Sequence, residues 1–202
     1  MHWRVALVGL ALLVEACGFV DVAPVDRGRL VVDGVELRPE SLPWAVGISP
    51  NVENPEAVAE ALRSINEQLA PVVAFERFYD EHQFHSVAYW PAEVRSGFVL
   101  VFQGYAQVPV VAGGAGRSFI DPGAVTDLVW NEDGEIYSVE ITISSDIAYD
   151  PQTVRDAMAH EAGHALGLAH DDRSQDLRSC MSSPPAYDCR LTPADVRLVK
   201  GE

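Results

Sequence analysis

His160, Glu161 and His164 stand at positions i, i+1 and i+4, and Gly167 and His170 follow at two further intervals of three. On a helix the i,i+4 spacing brings both imidazoles onto one face, about one turn apart, where they can bind a single metal ion. Gly167 can take the left-handed conformation that ends a helix, which lets the chain turn sharply and bring His170 round as a third ligand. Three neutral imidazoles leave a zinc ion with an open coordination position for water, and so with a nucleophile at neutral pH. With only 6 His and 15 Gly in the chain, the five specified positions from His160 to His170 would coincide by chance with a probability on the order of 10⁻⁵.

The chemistry requires a helix under the first two histidines, and the sequence supplies one. Asp150-Pro151 offers a cap and a first helical residue, and Val154, Ala157, Met158, Ala162, Ala165 and Leu166 continue at helical spacing. Ile136–Ser144 alternates Val139, Ile141 and Ile143 with polar neighbours, as expected of a strand leading into that helix. Val125–Trp130 reads as its partner across Asn131–Glu135, whose Asp133-Gly134 pair suits a hairpin turn; calcium there is the lesser reading, because the oxygen ligands lack an EF-hand spacing. Upstream, Trp44–Ile48 reads as a strand, and Asn54-Pro55-Glu56 opens a helix whose apolar stripe runs from Ala57 through Leu69 and ends before Pro71. Val72–Phe78, Ser86–Trp90 and Gly97–Phe102 are rich in β-branched and aromatic residues and read as further strands. Gly113–Gly116 reads as a plain turn, Asp80, His82 and His85 as a solvated loop rather than a second metal site, and Asp171, Asp172 and Asp176 as an acidic loop after the third histidine.

Composition bounds the function classes. The chain has 202 residues, 48% hydrophobic and 22% charged, which allows one globular domain of ordinary size. A formal charge of -16 repels phosphate backbones, so nucleic acid is not an expected partner. Arg4 and the apolar run Val5–Val14 read as a signal peptide over residues 1–16, too short to cross a bilayer of roughly 30 Å. The small residue Ala16 before Cys17 resembles a lipobox, making Cys17 a lipidation candidate, with simple cleavage after Ala16 as the alternative. Either route exports the chain to a secreted, periplasmic or cell-surface location, and either leaves Cys180 and Cys189 free to form one disulfide. Residues 17–42, with Pro24, Gly28, Gly34 and Pro39, read as a tether or short pro-segment with one short strand, outside the core, and 43–202 as the domain.

The His160–His170 run is similar to the signature of the metzincin clan of zinc endopeptidases, H-E-x-x-H-x-x-G-x-x-H followed by a Met-turn. Cys180-Met181-Ser182 lies in the right order for that turn, and the resemblance gives Met181 the role of an apolar floor beneath the histidines, braced by a Cys180–Cys189 bridge. Within the clan, Leu191-Thr192-Pro193-Ala194-Asp195 resembles the opening of the last helix of matrixins, and Gly116–Pro122 resembles their edge strand, which pairs with substrate backbone. The chain departs from matrixins where Asp171 follows the third histidine, as in adamalysins, and where no proline stands two residues after Met181. The resemblance implies an α+β fold of α/β/α type: a twisted, mostly parallel sheet of about five strands with an antiparallel edge, a long packing helix, a zinc-binding helix and a C-terminal helix. It implies hydrolysis of peptide bonds through a zinc-bound water, with Glu161 as general base and then general acid. Pro184, Pro185 and Tyr187 would form the wall of the specificity pocket. The alternative function is a cell-surface binding protein that keeps fold and zinc without turnover.

Overall fold

The computed structural model describes residues 28–78, 81–91, 95–104, 116–121, 123–170, 179–182 and 188–202. In chain order its elements are β1 (Val31–Val32), β2 (Val35–Glu36), β3 (Arg38–Pro39), β4 (Trp44–Ile48), α1 (Pro55–Leu69), β5 (Phe75–Phe78), α2 (Glu81–Ala88), β6 (Phe98–Gly104), β7 (Gly116–Asp121), β8 (Ala124–Trp130), β9 (Glu135–Ser144), α3 (Pro151–Ala165) and α4 (Pro193–Lys200). One sheet runs in the order β5-β4-β6-β9-β8-β7, with β3 added alongside β9. The pairings from β5 to β9 and that of β3 are parallel, whereas β8 and β7 are antiparallel. The fold is therefore α+β with a mostly parallel sheet as expected; the sheet has seven strands, of which β3 beside β9 is the one that was not expected.

Alternation along the strands sorts the two faces of the sheet. Val46, Val99, Val101, Leu128, Val139 and Ile141 are buried in one cluster with Val58, Leu62 and Ile65 of α1 and Met158 and Ala162 of α3. Leu100 on the opposite face packs with Phe84 and Val87 of α2, and Phe98 and Phe102 cover that smaller cluster. Helices thus lie on both faces. α1 begins with proline at its first turn after Asn54. α3 is capped by Asp150, whose carboxylate accepts hydrogen bonds from the backbone N–H groups of Gln152 and Thr153. α4 carries a reciprocal Thr192/Asp195 capping box and docks on the end of α1 through Lys200 Nζ to the Ala70 carbonyl and the Leu191 N–H to Gln68 Oε1.

Two expectations are corrected. Residues Ser86–Trp90 do not form a strand: Ser86–Ala88 belong to α2, which also takes up part of the polar stretch around His85. Phe84 and Val87, three residues apart, bury one helical face against Leu100, while Tyr89 and Trp90 beyond the helix end remain exposed. Packing at the helical period overrides the β propensity of the individual residues. Residues 28–42 are also no tether outside the core. Asp33 and Gly34, both at positive φ, turn β1 antiparallel onto β2, and Leu30, Val32 and Leu37 are buried in the main core. The Asp33-Gly34 pair between valines was the sequence signal for this hairpin.

Candidate metal centre

α3 carries His160, Glu161 and His164, all fully buried. The helix ends at Leu166, and Gly167 adopts φ 78°, in the left-handed region. A Cβ at Gly167 would lie 2.5 Å from the Leu37 carbonyl oxygen, so glycine is required both for the turn and for the approach of the N-terminal segment. That segment holds the turned chain: the Leu30 N–H donates to the Gly167 carbonyl and the Ala169 N–H to the Gly28 carbonyl, each at 2.8 Å. His170 follows directly and comes round to the other two histidines.

The three Nε2 atoms form a triangle with every side 3.1 Å. A tetrahedral zinc site with Zn–N bonds of about 2.05 Å separates its nitrogens by about 3.3 Å, so the spacing fits such an ion. The tautomers fit as well. His164 Nδ1 lies 2.9 Å from the Leu168 carbonyl oxygen and His160 Nδ1 contacts the Cys180 carbonyl oxygen. A carbonyl can only accept, so both Nδ1 atoms carry a proton, and each ring in its neutral form directs its Nε2 lone pair at the same point. Lone pairs converging in a buried site call for a cation between them. Among the described residues this triad is the one group of three or more His, Cys, Asp or Glu that could hold a metal ion. His170 is partly exposed, which opens the triad towards solvent on its side.

Met181 is fully buried with its sulfur against Gly163 of α3, where a Cβ would lie 2.2 Å from Sδ. The packing of Met181 on α3 therefore depends on the absence of a side chain at residue 163, about one helical turn from His160. The Cys180–Cys189 disulfide is formed, and a parallel bridge between Ser179 and Arg190 flanks it. It anchors the carbonyl that orients His160. The bond points to an oxidising, exported location, and among the described residues no helix is long and apolar enough to cross a membrane.

Glu161 Oε2 accepts a hydrogen bond from Thr126 Oγ1 on β8. No motif marks Thr126 in the sequence, since threonine is an ordinary strand residue. At Asn131–Glu135, Asn131 Oδ1 accepts from the N–H groups of Asp133 and Glu135, and Asn131 Nδ2 donates to Glu135 Oε2, so the turn closes on its own polar atoms. β7 lies at the end of the sheet, where an edge strand was expected. Cys17, Pro184, Pro185, Tyr187 and the acidic residues at 171, 172 and 176 lie outside the described residues. Comparison with protein-family models, with curated proteins and with solved structures found no match.

Proposed function

We propose that this protein is an exported zinc endopeptidase of metzincin type. The observation that carries the reading is the convergence of the His160, His164 and His170 Nε2 atoms at 3.1 Å with the Glu161 carboxylate on the same helix. Zinc held by these nitrogens supplies Lewis acidity, lowering the pKa of water towards roughly 7 and offsetting charge that develops on the scissile carbonyl oxygen. Glu161 accepts the proton of the attacking water and delivers it to the departing amine nitrogen. The carbonyls of Cys180 and Leu168 keep His160 and His164 in the tautomer that leaves Nε2 available. Met181 gives the triad an apolar floor, and an extended peptide aligns along β7 by adding its backbone to the sheet edge.

The test compares cleavage of an unstructured protein by the wild type and by Glu161→Ala, with bound zinc measured in both. We expect one zinc per chain in each, and a loss of cleavage on the order of 10³-fold in the variant. Zinc-loaded wild type that cleaves no unstructured substrate would overturn the peptidase reading in favour of a non-catalytic binding protein.

A further inference from the structure

Thr126 occupies the helix-facing side of β8, opposite Ile141 in the antiparallel register and in line with Leu128 opposite Val139. Its side chain is fully buried on a face otherwise built from Leu128, Val139 and Ile141. Valine has nearly the same shape and would pack there with no polar atom to satisfy. A hydroxyl on this face needs a partner, and its partner is Oε2 of Glu161, itself fully buried.

We propose that Thr126 is a positioning residue for Glu161. The hydroxyl engages Oε2, which fixes the carboxylate about its last torsion and gives the other oxygen the proton-transfer role. The hydrogen bond crosses from β8 to α3, so it ties the base to the sheet. Without it the glutamate samples rotamers that point away from the site, and misplacement by about 1 Å costs on the order of a hundredfold in rate. The inference rests on the reading of Glu161 as general base.

The experiment uses the exported protein with Thr126→Val, which keeps shape and removes the hydroxyl, and Thr126→Ser, which keeps the hydroxyl. Thr126→Val should bind one zinc, keep KM within about twofold and lose roughly ten- to a hundredfold in kcat, and Thr126→Ser should recover most of that loss. An activity-independent readout uses metal-free protein labelled with ¹³C at the glutamate carboxyl carbons. The Glu161 resonance, assigned by its absence in Glu161→Gln, should shift in Thr126→Val and return in Thr126→Ser. If Thr126→Val does not fold, Thr126→Ala takes its place with the same expectations. Unchanged kcat and an unmoved resonance, with Glu161→Gln inactive, would overturn the role of Thr126. An active, zinc-loaded Glu161→Gln would instead overturn the general-base reading beneath it.

Discussion

At the scale of single residues, the centre depends on two glycines as much as on three histidines. A methyl group at residue 163 must displace the Met181 sulfur, which lies 2.2 Å from the position of that Cβ. Gly163→Ala is expected to destabilise the protein by about 1–3 kcal/mol, the usual range for overpacking, and to weaken metal binding, as thermal denaturation with a zinc titration would measure. A Gly163→Ala protein of wild-type stability would show that Met181 moves aside at no cost. Gly167→Ala meets both a left-handed φ of 78° and the Leu37 carbonyl. It should release His170 and abolish stoichiometric metal binding while α3 and its other two histidines stay in place. The triad, its helix and its turning glycine were legible in the sequence because all are local, set by spacing along one helix and one turn. Thr126 and the Cys180 carbonyl were not, because their roles arise from contacts between residues 35 and 20 positions apart.

At the scale of elements, α3 joins the sheet to the candidate metal centre, and its ends are fixed by different chemistry. Its N-terminal cap Asp150 is held below the ordinary carboxylate pKa, first by the Thr153 side chain and then by the Gln152 and Thr153 N–H groups. A depressed folded-state pKa means that the stabilisation is complete above the unfolded value and is lost as pH falls through the folded one. Stability should thus be insensitive to this group at neutral pH and fall on acidification below the usual carboxylate range. In Asp150→Asn, followed by thermal unfolding against pH, that part of the acid dependence should disappear; an unchanged profile would mean that the cap does not contribute. The C-terminal side of the site rests on the Cys180–Cys189 disulfide, whose short loop constrains the unfolded chain by about 3 kcal/mol. Paired Cys180→Ser and Cys189→Ser replacement should lower thermal stability and weaken zinc binding together, because the His160 partner is the carbonyl of residue 180. Loss of stability with full zinc affinity would show that the carbonyl holds its place without the bridge. Most elements were legible from apolar period and capping residues: β4 and α1 match their expected bounds, and β8, β9 and α3 match within a residue. α2 was not, because Val87, Tyr89 and Trp90 carry a local β preference and only the packing of Phe84 and Val87 on Leu100 decides for helix.

At the scale of the whole molecule, the N-terminal segment is a constituent of the metal site. Leu30, Val32 and Leu37 are buried, β3 extends the sheet beside β9, and residues 28–30 pair with the chain that carries His170. Burying three such side chains contributes roughly 5–8 kcal/mol, comparable with the net stability of an ordinary domain. A chain starting at residue 41 should therefore fail to fold cooperatively or to retain zinc, whereas one starting at residue 28 should do both. Circular dichroism and metal analysis of the two would decide. This integration is not legible in the sequence, because the segment's glycines and prolines suggest a linker and its apolar residues gain meaning only against α3 and the turn at Gly167.

His160, His164 and His170 are proposed to hold one zinc ion together. Elemental analysis of the folded wild type and of His160→Ala, His164→Ala and His170→Ala tests it directly. One zinc per wild-type chain and far less than one in each variant are expected. Stoichiometric zinc in any one of the three variants, or none in a correctly folded wild type, would contradict it.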